Sequence, residues 1–221
     1  MNPVNLVNPV KRVEFVKICG ITRLEDAQAA VTAGANALGF VFWPKSPRYV
    51  DPDRAREIVA TLPPGVTPVG VFVDQLEDEV NDVAHRVKLA VVQLHGNENE
   101  QYVRKMTRGV MKAVAVDGTS APSLEAWPSD VTILLDVHDP VRKGGTGRTI
   151  DWSIGAAVAR RRDIVLAGGL TPENVREAIA QVQPYGIDVS SGVEASPGIK
   201  DHERIKALFE AVHGGHYATR S

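Results

Sequence analysis

Residues 15–42 read FVKICGITRLEDAQAAVTAGANALGFVF. An apolar run, Phe15–Ile18, is followed by a stretch with helical periodicity, Leu24–Ala33, and then by a second apolar run, Ala37–Phe42. Short, nearly continuous apolar runs rich in β-branched side chains mark strands covered on both faces in a parallel sheet. The unit is strand, helix, strand, and it recurs along the chain. Further runs lie at Val69–Val73, Leu89–Leu94, Val110–Val116, Val131–Leu135, Ile164–Ala167 and Gly186–Val189. Helical periodicity returns at Pro52–Leu62, Leu76–Val87, Glu98–Met106, Ser153–Arg160, Pro172–Val182 and Asp201–Val212. Asp51 before Pro52, and Thr171 before Pro172 and Glu173, read as helix starts. Only Ser120–Trp127 is weak, since Pro122 and Pro128 limit it to a turn or two.

Eight such units at a spacing of about 24 residues match one strand, one helix and two short loops each. The fold class is therefore α/β, a single (β/α)8 TIM barrel over 13–221, preceded by an N-terminal extension, 1–12. An open doubly wound sheet is the alternative, but it calls for a dominant glycine-rich turn after the first strand. Here the glycine-rich turns come late, after the sixth, seventh and eighth strands.

Composition narrows the function. The chain has 221 residues, 43% of them hydrophobic and 24% charged, a globular balance. Its formal charge of −2 argues against a nucleic-acid surface, so an anionic ligand has to be gripped locally. One cysteine excludes an intrachain disulfide and a cysteine-built metal site. Met1–Val10, with two prolines and no apolar core, does not read as a signal peptide. The longest apolar run, Ala37–Trp43, falls short of the ~18 residues of a membrane span. These features predict a cytoplasmic protein without a membrane or nucleic-acid partner.

In a barrel of this type, the chemistry sits where the strands end and in the loops that follow. The late loops carry the strongest signal: Lys143-Gly144-Gly145-Thr146-Gly147-Arg148, then Ala167-Gly168-Gly169-Leu170, then Ser190-Ser191-Gly192-Val193-Glu194. Glycines let the backbone approach a ligand and aim several N–H groups at one anion, so these loops read as a phosphate cradle rather than three unrelated tight turns. Lys143 and Arg148 add positive charge.

Cys19 ends the first strand. Alternation puts it with Phe15 and Lys17 on one face and Val16 and Ile18 on the other. With the second face on the helices, Lys17 and Cys19 point into the barrel, and an ammonium there should lower the thiol's pKa towards neutrality. The competing reading is a small buried hydrophobe. Asp136 follows Ile133-Leu134-Leu135, and low-dielectric walls would keep it protonated as a general acid. Alternatively it bonds to loop amides, a reading shared with Asp74, Asp117 and Asp188. Arg48, between prolines and Tyr49 in the loop after the second strand, is suited to a bidentate grip on a carboxylate, or else is a solvated surface residue. Gln93 and His95 share an inward face, with His95 either a supporting donor or a structural histidine. Arg160-Arg161-Arg162 reads as a solvated helix end.

Taken in order, KICGIT at 17–22, SPRYV at 46–50, GVFV at 70–73, VQLHG at 92–96, LLD at 134–136, GGTG at 144–147, LAGGL at 166–170 and DVSSGVE at 188–194 resemble the phosphoribosylanthranilate isomerase family, from about Val13 to Val212. The resemblance implies a single barrel that carries out an Amadori rearrangement of N-(5-phosphoribosyl)anthranilate in tryptophan biosynthesis, without metal or cofactor. It implies that Cys19 is the general base, Asp136 the general acid and Arg48 the binder of the anthranilate carboxylate. Gly144, Gly145, Gly147, Gly168, Gly169, Ser190, Ser191 and Gly192 would form the phosphate site. A small-molecule substrate is the expected partner, with monomer and homodimer both open. The first dozen residues and Ile150, where the family often has an aromatic, depart from its pattern. The alternatives are a histidine-pathway type of aldose–ketose isomerase, which uses two aspartates, and a barrel that binds a phosphosugar without converting it.

Overall fold

Alternation and helical periodicity meet in the computed structural model, which describes residues 13–116, 122–136 and 152–214. Eight parallel strands close into a barrel: β1 (Phe15–Cys19), β2 (Ala37–Val41), β3 (Thr67–Phe72), β4 (Val91–Leu94), β5 (Gly109–Ala115), β6 (Thr132–Asp136), β7 (Ile164–Ala167) and β8 (Gly186–Val189). Closure is made by β1 on β8, with Phe15 beside Gly186 and Lys17 beside Asp188. Gly186 is required there because a Cβ would lie 2.6 Å from the Phe15 carbonyl oxygen.

Among the described residues seven α-helices pack outside: α1 (Leu24–Ala33), α2 (Pro52–Val59), α3 (Glu77–Val87), α4 (Glu100–Val103), α5 (Ser153–Ala159), α6 (Val175–Val182) and α7 (His202–His213). The larger core lies between strands and helices and takes one face of each strand, such as Val16 and Ile18 of β1. Two smaller clusters fill the barrel itself, Met111, Leu134, Val165 and Ala167 in one, Cys19, Val41 and Val71 in the other. No described helix is long and apolar enough to cross a membrane.

Several local expectations are corrected. Asp51 caps α2 as expected, accepting from the Asp53 amide at 2.9 Å. Pro172, by contrast, is not a first helical residue, because Asn174 folds back to accept from Thr171 N and opens α6 three residues later. Glu98 lies outside α4, where Asn99 makes the cap by accepting from the Tyr102 amide. Residues 122–127 make a turn closed by Trp127 N on Leu124 O. Arg162 is not solvated, since its guanidinium donates to the carbonyls of Trp127, Pro128 and Val131 and so ties α5 to the loop before β6. A hairpin not predicted from sequence, β9 (Glu194–Ser196) with β10 (Ile199–Lys200), follows β8.

Candidate active site

Strand alternation delivers Lys17 and Cys19 to the barrel interior as expected, Lys17 fully buried and Cys19 7% exposed. Both reach into the space opposite Gly39 of β2. A Cβ on that glycine would stand 2.8 Å from Cys19 Sγ and 2.9 Å from Lys17 Nζ. Lys17 donates to Asp188 Oδ1 at 2.9 Å. Burial disfavours the ammonium, yet Asp188 and Cys19 together hold its pKa above the usual lysine value. The expected fall in the thiol's pKa does not occur. Burial pushes the Cys19 thiol up, the Lys17 ammonium opposes this, and the nearby Asp188 carboxylate adds to the rise.

Arg48 is not a solvated arginine. Its stem crosses Gly20, where a Cβ would meet Arg48 Cδ at 2.7 Å, and Gly20 has φ +80°, open to glycine at little cost. The guanidinium donates from Nε and Nη2 to the two oxygens of Glu194 at 2.8 and 2.7 Å. Glu194 also accepts from Lys200 Nζ at 2.9 Å. Although burial would raise the Glu194 pKa, Arg48 and Lys200 hold it below the usual carboxylate range. Burial likewise draws Lys200 down, with Glu194 opposing.

Asp136 ends β6 and is not fully enclosed, its side chain 26% exposed, with His95 Nε2 3.3 Å from Oδ2. The apolar wall expected around it is therefore partial. Gln93 Nε2 lies 3.0 Å from His95 Nδ1, so Gln93 on β4 and His95 just beyond it form a chain that ends on the Asp136 carboxylate of β6. Behind His95, Lys112 donates to the carbonyls of Leu94 and Gly96 and to Glu98, while Glu98 accepts from the amides of Gly96 and Asp74. Asp74 takes the amide role allowed for it, accepting from Asn97 N.

The two later glycine loops lie where the sequence puts them. Gly168 and Gly169 have φ +95° and +64° after β7. Ser191–Val193 form one 3₁₀ turn after β8, and Ser190 Oγ donates to the Cys19 carbonyl at 3.2 Å. A Cβ on Gly192 would fall 1.9 Å from Leu170 O, so the two loops touch backbone to backbone. Arg204 on α7 holds this turn by donating to Gly192 O. Lys143, Gly144, Gly145, Gly147, Arg148 and Asp117 lie outside the described residues.

This order of strand ends and loops is matched in known proteins. Residues 16–211 match the family described as N-(5'-phosphoribosyl)anthranilate (PRA) isomerase. The chain belongs to that family. It is 48% identical over 200 residues to the N-(5'-phosphoribosyl)anthranilate isomerase of Geotalea uraniireducens (strain Rf4), covering 90% of this chain and 98% of the relative. It is similar to the crystal structure of phosphoribosyl anthranilate isomerase from Thermotoga maritima, with a TM-score of 0.82 and 49% identity, covering 90% of this chain and 98% of that one. A second crystal structure, of such an isomerase in complex with reduced 1-(o-carboxyphenylamino)-1-deoxyribulose 5-phosphate, matches with a TM-score of 0.79 and 47% identity, with coverage of 90% and 98%. The enzyme is thus an aldose–ketose isomerase of tryptophan biosynthesis that converts N-(5-phosphoribosyl)anthranilate by an Amadori rearrangement.

Alternation was enough to find Lys17 and Cys19. Lys200, Glu98 and Lys112 escape the sequence reading as site-forming residues, and Glu194, though part of the late loop, is not foreseen there as the partner of Arg48; one signal was present. Lys112 shares an otherwise apolar face of β5 with Val110 and Val114, and a lysine in that company needs a buried partner.

Proposed function

We propose that Cys19 is the general base and Asp136 the general acid of this isomerisation, with Arg48 on the anthranilate carboxylate and the glycine loops on the phosphate. In the first step the Asp136 carboxyl gives its proton to the furanose ring oxygen while the C1–O bond breaks. The anthranilate nitrogen supplies the electrons, and an open-chain iminium results. That cation acidifies the C2 hydrogen. The Cys19 thiolate removes it, the C2–H electrons form the C1–C2 double bond, and the iminium becomes an enolamine. Loss of the enol proton and gain of one at C1 give the 2-ketone.

The reading is supported above all by the convergence of Cys19, Arg48 and Ser190 at the ends of adjoining strands, with Ser190 Oγ on the Cys19 carbonyl and Arg48 lying over Gly20. On this reading the carboxylate anchor and one wall of the phosphate site both lie next to the segment Cys19-Gly20. Acid and base are each worth about 10²–10⁴-fold, and two fixed ends keep C2 between them. His95 beside Asp136 is suited to hold the acid's orientation. Gly144, Gly145 and Gly147 would complete the phosphate grip. The same reading has the enzyme act in the cytoplasm on a small-molecule substrate, as a monomer or homodimer.

The test is turnover of phosphoribosylanthranilate, followed by loss of its fluorescence, in Cys19→Ala, Asp136→Asn and Arg48→Ala. The first two should lose turnover, and the third should raise KM. Wild-type turnover without the thiol or the carboxyl would remove that residue from its role.

A further inference from the structure

Arg48 carries the substrate carboxylate in the reading above, yet one edge of its guanidinium is already closed on a carboxylate of the protein. Glu194 takes Nε and Nη2 in the two-bond geometry that planar forks favour. Glu194 is not a loose placeholder for the substrate. Its side chain is 5% exposed and also accepts from Lys200 Nζ at 2.9 Å and from the Gly198 amide at 3.2 Å. Lys200 is itself anchored, donating to Ser190 O at 3.2 Å. The hairpin that carries both residues is latched to the first loop by Thr22 Oγ1, which donates to Gly198 O at 2.5 Å.

A carboxylate with this many donors stays where it is when substrate arrives. A guanidinium has five N–H groups, and two bonds to Glu194 leave the Nη1 side for a second carboxylate. The stem of Arg48 is confined by Gly20, so the fork has little freedom apart from rotation about its own terminal bonds, and Glu194 removes that.

We infer that Glu194, backed by Lys200, is a positioning residue for recognition of the substrate's carboxylate: it fixes one edge of the Arg48 guanidinium so that the other is presented to the ligand. The assignment deepens the proposed role of Arg48 and rests on it. It also gives the hairpin after the last strand a purpose, since the same seven-residue segment carries Glu194, Gly198 and Lys200. The hairpin holds the carboxylate anchor, while Ser190, Ser191 and Gly192 just before it belong to the proposed phosphate site.

Steady-state kinetics of Glu194→Gln, Glu194→Ala, Arg48→Ala and the Glu194→Gln/Arg48→Ala pair decide the matter. Glu194→Gln keeps the shape and so guards against misfolding, which a thermal melt checks. It should raise KM roughly tenfold while kcat changes much less, because a fork released from its carboxylate misplaces the ligand. Glu194→Ala should exceed this, and a further variant that keeps the charge, Glu194→Asp, should show a smaller rise in KM than Glu194→Ala. In the Arg48→Ala background the Glu194→Gln effect should vanish. An equal KM penalty in both backgrounds, or a fall in kcat with KM unmoved, would overturn the inference while leaving Arg48 in place. An unchanged KM in Arg48→Ala alone would remove the carboxylate role of Arg48 itself, and the inference with it.

Discussion

Lys17 and Asp188, register partners on the first and last strands, form a 2.9 Å ion pair inside the barrel one layer below Cys19. The pair seals the seam where the barrel closes and sets the charge that the thiol meets. Lys17→Met would leave the Asp188 carboxylate buried without its cation, a change that costs about 3–5 kcal/mol. Replacing both, as Lys17→Met with Asp188→Leu, should recover most of the stability seen in urea unfolding but not the turnover. Recovery of turnover in the double variant would show that the thiol has no need of the ammonium.

The pH dependence of Cys19 follows from burial. Because the enclosed thiol is pushed up and Lys17 only partly offsets this, the thiolate is scarce at neutrality and grows as pH rises. The rate of alkylation of the single cysteine by iodoacetamide should still be climbing above the ordinary thiol value of ~8.5. The ascending limb of kcat/KM should follow it. A reactivity already at its plateau at neutral pH would contradict this.

Cys19→Ala and Asp136→Asn should each lower turnover by at least ~10²-fold. Neither should move the unfolding midpoint much, since the thiol is small and the carboxyl sits partly exposed at a strand end. Circular dichroism on heating separates lost chemistry from lost fold.

Acid should weaken the fold through two carboxylates. Burial would raise the Asp26 pKa, but Arg23 and His202 with the Lys200 amide lower it, and Glu194 is lowered by Arg48 and Lys200. A depressed carboxylate stabilises the native state above its unfolded value of roughly 4 and loses that contribution as pH falls through the folded value. The melting temperature should therefore drop steeply below about pH 4, and less steeply in a Glu194→Gln, Asp26→Asn variant measured against its own value at pH 7. A wild-type melting temperature that holds steady down to about pH 2.5 would count against both ion pairs.

Gly192→Ala tests the late loops. Its methyl group would fall on the Leu170 carbonyl oxygen, a backbone atom that cannot swing aside, so the turn itself has to move. Inhibition by inorganic phosphate should weaken roughly tenfold, as expected when backbone donors are displaced from an anion. An unchanged inhibition constant would take this turn out of the phosphate site.

The sequence made the barrel legible because each strand carries its own apolar run and each helix its own periodicity, and both signals are local. Lys17 and Cys19 could be faced inward from β1 alone. What escaped was non-local. Glu194-Ala195-Ser196 has no β-branched residue, and the hairpin it opens is held by Arg48 and Thr22, far away in sequence. The Pro197-Gly198 pair was the available sign of a turn there, with Gly198 at φ +80°. The thiol's environment escaped for a related reason, because Lys17 was visible in sequence but the weight of burial against it was not. Likewise Glu98 reads as a helix start and only the fold reveals the buried Lys112 beside it.

Arg48 and Glu194 are 146 positions apart, and Lys17 and Asp188 are 171 apart. A ribosome making this chain releases the Lys17 ammonium and the Arg48 guanidinium well before the carboxylates that pair with them. Until then the nascent chain holds a lone cation on β1 and an untethered fork, so it has no finished place for a sugar phosphate. Competence to bind therefore has to wait for β8 and the hairpin behind it, the same segment that closes the ring of strands on β1.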